Sequence, residues 1–131
     1  MLDGMSWAHI VYPREELITK GMVCATLVKC YSFIWSFNPC KIVCLDSQIQ
    51  SKGTIYSQVA ISTLNGHLIE GEEKFRVDLD KQSSNVTLSL SSFTRGSGFL
   101  GRLAMPLIRP MQSYFFEDVI ESVRSNMLEV T

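Results

Sequence analysis

The sequence predicts an α+β domain in which an antiparallel sheet of about five strands packs against a long C-terminal helix. Apolar and polar residues alternate through Lys74–Leu79 and Val86–Ser91, the period lengthens to three or four residues beyond Arg95, and all strand-like runs precede the helical one. That order belongs to segregated strands and helices, not to alternating βαβ units.

The 131 residues fit one domain, 1–131, with an extended N-terminal segment over 1–20, a sheet over 21–92 and a helical C-terminus over 99–127. Hydrophobic residues make up 46% and charged residues 19%, a composition that can offset its ordering entropy and fold. Trp7 and His9 lie in the first segment, where Tyr12-Pro13 reads as extended or turn backbone. Met22–Tyr31 carries Val23, Thr26 and Val28 without helix caps and reads as a strand. Asn38-Pro39 breaks the pattern, because proline cannot donate to a ladder, and Cys40–Leu45 is a second short apolar run closed by a polar loop over Asp46–Gly53.

Thr54–Leu64 follows as a half-buried strand, with Ile55, Val59 and Ile61 on one parity. Asn65-Gly66 ends it, a dipeptide that favours a hairpin turn with positive φ at both central residues. Phe75, Val77 and Leu79 then oppose Lys74, Arg76 and Asp78; after the polar turn Asp80–Asn85, Val86, Leu88 and Leu90 oppose Thr87, Ser89 and Ser91. These two amphipathic strands are expected to pair antiparallel. Ile108, Met111, Phe115, Val119, Val123 and Met127 form the stripe of a helix with one buried face. Pro106 and Pro110 would remove hydrogen bonds from a helix interior, so the regular helix is expected to start near Pro110 after an irregular approach.

Composition and motifs exclude several chemistries. The net charge is −1 and no basic block could neutralise several phosphates, so nucleic acid is not an expected partner. The longest stretch free of Lys, Arg, Asp and Glu, Gly53–Ile69, contains Gln58, Asn65, Gly66 and His67 and predicts no transmembrane helix. Met1–Ala8 lacks a basic region followed by an apolar run, so a cytoplasmic location is expected and Asn85-Val86-Thr87 is a sequon in name only. Cys24, Cys30, Cys40 and Cys44 lack paired zinc-ligand spacing and lie among apolar residues. Reduced core thiols are the expectation, with two strand-to-strand disulfides as the alternative. No cofactor, metal or catalytic residue is expected.

Candidate chemistry is sparse. His67 precedes Glu70, Glu72 and Glu73, and a histidine beside carboxylates could act as a general base, although Glu72 and Glu73 point to opposite faces if they begin a strand. Gly96-Ser97-Gly98 with Gly101 resembles a phosphate loop only superficially, since no Lys-Ser or Lys-Thr follows; it reads as a flexible strand-to-helix connection. Arg95, Arg102 and Arg109 could meet an anion but more often such arginines solvate a helix approach.

Thr63-Leu64-Asn65-Gly66-His67, Gly71-Glu72-Glu73-Lys74-Phe75, Phe93-Thr94-Arg95 and Leu103-Ala104-Met105-Pro106 together resemble the signature of domain of unknown function 1990, also labelled uncharacterised protein family 0548. Asn38-Pro39-Cys40-Lys41-Ile42-Val43 resembles the family's earlier strand motif. The resemblance implies, by analogy, a helix-grip (START-like) fold in which a curved sheet wraps a long C-terminal helix. It also implies that Thr63, His67, Glu72, Phe93 and Arg95 are the motif positions from which a ligand-binding site would be drawn. Three departures stand out. The region before the first matched strand is shorter than in family members, as in an N-terminally truncated product, which would leave an edge strand or a lid missing. Ala60-Ile61-Ser62 replaces a glycine-tyrosine-glycine lead, and Gly96 replaces a proline.

The functional expectation is a binding module for a lipid or other apolar or amphipathic small molecule, with a cavity lined by Ile55, Phe75, Leu88, Phe115 and Val119. One alternative is a hydrolase-like enzyme using His67 with Glu72 or Glu73. Another, implied by the family's plant members, is a membrane-associated or pore-forming protein of a plant organelle envelope, placed at the plastid envelope surface. An uncovered sheet edge would favour a homodimer.

Overall fold

The computed structural model describes residues 8–11, 17–30 and 34–129. Its elements are β1 (Ala8–Val11), β2 (Val23–Cys30), β3 (Ile34–Ser51), β4 (Thr54–Thr63), β5 (Ile69–Asp80), β6 (Val86–Gly96) and α1 (Gly98–Glu129). The strands form one open antiparallel sheet in chain order, β1 to β6. The α+β arrangement expected from the sequence is present: β2 to β6 make a five-stranded meander, and the four-residue β1 adds a sixth strand beside β2.

The sheet departs from expectation at its turns. Asn38-Pro39 does not interrupt a strand, because β3 runs for 18 residues through both. Pro39 lies opposite Ala25, while its carbonyl accepts from the Leu64 N–H at 2.9 Å on the β4 side. A residue's N and C=O point the same way in a strand, so the missing donor falls where β4 has just ended at Thr63 and no ladder partner is lost.

Most of the polar stretch Asp46–Gly53 is also strand, bent by register shifts between Ile42 and Cys44 and between Asp46 and Ile49. Its hairpin turn is only Lys52-Gly53, with φ of 40° and 86°, the primed geometry expected at Asn65-Gly66. There the connection is five residues, 64–68, and only Gly66 has positive φ, at 94°. The His67 N–H donates to the Leu64 carbonyl at 3.2 Å, a β-turn with glycine at its third position.

The helix likewise starts earlier than expected, at Gly98, and continues through Pro106 and Pro110. Both prolines and Arg102 are on the solvent side, so the carbonyls they leave free, of Arg102 and Pro106, can be hydrated. The Gly96–Gly101 joint is tight, not flexible. Both glycines are buried, the Ser97 N–H donates to the Leu68 carbonyl at 3.0 Å, and a Cβ on Gly96 would come within 2.5 Å of the Arg102 nitrogen. The glycines are there for close backbone approach, which accounts for the phosphate-loop likeness without a phosphate.

α1 lies along β6, and Val119 at its inner face packs against Phe75, Leu90 and Phe115. Ile108, Met111 and Val123 of the predicted stripe are half-buried, and Met127 is exposed. The outer face of α1 carries a second apolar row, Phe99, Leu103, Leu107 and Tyr114, all exposed. Among the described residues no helix is long and apolar enough to cross a membrane.

Candidate functional site

Strand register sorts the side chains by face. On β5, Phe75 lies between Val59 and Leu90, Val77 between Ser57 and Leu88, and Leu79 between Ile55 and Val86. Side chains directly opposite one another share a face, so this row forms the apolar, helix-facing side of the sheet. It is only partly covered: Val77 is 42% and Leu79 36% exposed, and Leu45 on β3 is 38% exposed, while Val119 of the helix and Ile42 of β3 are almost wholly buried. The other face is polar. Arg76 forms a bidentate ion pair with Asp78 at 2.7–3.0 Å and sits over the Tyr56 ring at 3.9 Å.

Glu73 belongs to the apolar row. It lies between Ile61 and Ser92, two residues before Phe75, and burial pushes its carboxyl up from the ordinary value, with a hydrogen bond to Gln112 of α1 working against that rise. The Gln112 amide also donates to the Thr94 hydroxyl at 3.2 Å. Cys40, buried and opposite Cys24, has its thiol pushed up to about 12 by burial, with Cys24 and Glu73 adding smaller repulsions. Such a thiol is inert at neutral pH. Cys24, Cys40 and Cys44 are all free.

The five residues named by the sequence motif do not converge. The Thr63 hydroxyl accepts from the Gly71 N–H at 3.0 Å and donates to its carbonyl at 3.4 Å, standing in for a ladder partner where β4 ends. His67 Nδ1 accepts from the Ile69 N–H at 3.1 Å, and burial holds its pKa below the ordinary range, so the neutral ring serves its own loop. Glu72, Phe93 and Arg95 lie together on the face away from the helix: Glu72 is opposite Phe93, itself 86% exposed, and Arg95 bonds Glu70 at 3.0 and 3.1 Å. The Ser97 hydroxyl donates to the other Glu70 oxygen at 2.9 Å, and these two partners hold the Glu70 carboxyl below its ordinary value. Among the described residues no group of three His, Cys, Asp or Glu side chains could hold a metal ion.

A family model described as Domain of unknown function (DUF1990) matches residues 3–122. The chain belongs to the DUF1990 family. It is also similar to UPF0548 protein At2g17695 of Arabidopsis thaliana, at 31% identity over 121 residues, 92% of this chain and 57% of the relative. This DUF1990 chain therefore spans less than two thirds of that relative's length. No solved structure matches it.

The motif that marks the DUF1990 chain contains Glu73, which stands on the apolar face of β5. The signal was parity: Glu73 falls on the same alternation as Phe75, Val77 and Leu79, where a carboxylate breaks the pattern. Gln112 and Thr94 carried no comparable signal, since their meeting depends on where the helix docks.

Proposed function

We propose that this chain is a binding module for an apolar or amphipathic small molecule, seated between α1 and the apolar face of the sheet. What supports the reading most is the incomplete cover of that face: Leu45, Val77 and Leu79 stay partly exposed beside the packed group Phe75, Leu90, Phe115 and Val119. Fully burying a side chain of this kind is worth about 1.5–3 kcal/mol, so a ligand that completed the cover would recover a useful fraction of that at each position. The expected lining residues Ile55 and Leu88 share the same face by register and are half-buried. The helix-grip analogy is in keeping with a ligand between sheet and helix.

The rival readings have less behind them. Acid–base chemistry needs His67 within reach of Glu72 or Glu73, but its Nδ1 is taken by Ile69 and the two carboxylates leave opposite faces of β5. A pore needs a closed barrel, and this sheet has β1 and β6 as edges.

The test is native mass spectrometry of protein purified from its own cells. A co-purifying lipid or metabolite is expected, lost on Leu79→Asp substitution. An empty spectrum from well-folded protein would overturn the reading.

A further inference from the structure

We infer that the polar end of this site recognises an aliphatic ammonium head group, with Glu73 as its counter-charge and Gln112 orienting the carboxylate. The inference rests on the ligand-binding reading above and adds the chemistry of the head group.

Glu73 places a carboxylate on the apolar, helix-facing side of the sheet. Its register neighbours are Ile61 and Ser92, and the next residues on its face are Phe75, Val77 and Leu79. Desolvating an acid there is costly unless something compensates the charge. The protein's own compensation is partial. Gln112 donates a hydrogen bond, but among the described residues Glu73 takes part in none of the ion pairs, which join Arg76 to Asp78, Arg95 to Glu70 and Arg124 to Glu121. Lys74 and Arg76, its nearest cations along β5, belong to the opposite face by alternation.

A cation supplied by a ligand would meet an acceptor already positioned. Gln112 is steadied by Thr94, which leaves its amide fixed beside the carboxylate. From Glu73 the apolar row runs past Phe75, which also packs against Val119, to the part-exposed Val77 and Leu79, six residues or about 20 Å of strand. A charged head at one end and an aliphatic tail along that row match one molecule with both features. An anionic head would face like charge, and a hydroxyl head would gain only a neutral hydrogen bond.

The test measures binding of dodecylamine, dodecanol and dodecanoate, each below its aggregation concentration, by isothermal titration to the full chain, to Glu73→Gln and to Glu117→Gln. Glu117 is an exposed helix carboxylate, so its substitution controls for net charge. The amine should bind at least tenfold tighter than the carboxylate. Glu73→Gln should lose about tenfold for the amine while holding dodecanol within twofold, and Glu117→Gln should change neither. Circular dichroism confirms that the near-isosteric variants are folded. Equal affinity for amine and carboxylate, or an unchanged amine affinity in Glu73→Gln, overturns the inference and leaves the binding reading standing. No binding of any of the three by folded protein removes both.

Discussion

Replacing Gly101 by alanine sets two effects of known size against each other. Within a helix, alanine is favoured over glycine by about 1 kcal/mol, so propensity alone predicts a more stable protein. Yet Gly101 is buried against the end of the β4–β5 connection: a Cβ there would overlap the Leu68 carbonyl oxygen and lie 3.1 Å from the Gly96 carbonyl carbon. Both obstacles are backbone, which cannot swing aside as a side chain would. Overpacking of this kind costs about 1–3 kcal/mol. Relieving it pulls on the Ser97 N–H to Leu68 bond of 3.0 Å, whose loss adds about 1 kcal/mol. The clash wins, leaving a net loss of about 1–3 kcal/mol, or a fall in melting temperature of about 4–12 °C for a chain of this size. Differential scanning calorimetry of Gly101→Ala beside Ser125→Ala, at an exposed helix position, separates the effects. A Gly101→Ala protein as stable as the parent, or stabilised as Ser125→Ala should be, would refute the close-packed joint.

Gly71 adopts φ of 151°, and a Cβ would overlap the Phe93 carbonyl oxygen, so Gly71→Ala should destabilise by several kcal/mol and loosen β5–β6 pairing, read by hydrogen exchange at residues 93–95. Glu73 has a raised pKa in the folded state, so its contribution is favourable below the unfolded value near 4.5 and is lost as pH rises through the folded value. Glu73→Gln should therefore be the more stable protein in urea at pH 7, with the gap closing towards pH 4; a less stable variant at pH 7 contradicts the burial. For His67 the sign is reversed: its folded pKa is depressed, so its contribution is present above the ordinary value of 6.5 and is lost as pH falls through the folded value. Melts between pH 7.5 and about 5 should show that acid-side loss, and His67→Asn should flatten it. Pairing of two chains through an open sheet edge, β1 or β6, should give a dimeric mass in light scattering at micromolar concentrations, and a monomeric mass excludes it.

Where the sequence carried a period it was legible. The alternation of Phe75, Val77 and Leu79 against Lys74, Arg76 and Asp78 located β5 and its pairing with β6, and the stripe from Ile108 to Val123 located the buried face of α1. Single-residue rules read less well, because their cost depends on surroundings. Pro39 is harmless since its missing donor meets the end of β4, and Pro106 and Pro110 are tolerated because they free carbonyls on the wet side of the helix. Asn65-Gly66 is the stronger primed-turn dipeptide, but positive φ at two successive residues occurs at Lys52-Gly53, beyond the register shifts of β3. For the site, motif likeness drew attention to Glu72, Phe93 and Arg95 on the far face, whereas the carboxylate facing the helix was its neighbour Glu73. Strand parity alone separates the two.

The meander also bears on how fast and in what order the chain can organise. Every strand pairs with its neighbour in sequence, and from β3 to β6 the connections are only two to five residues long. Closing such short loops costs little entropy, so each hairpin can form from contacts close along the chain, the regime of rapid folding for a sheet. α1 follows β6 directly and rests on it, so its docking must wait for the strand that receives it. Until then both of its apolar rows are open to water, and the interval before docking is when this chain is most exposed to association with its own copies.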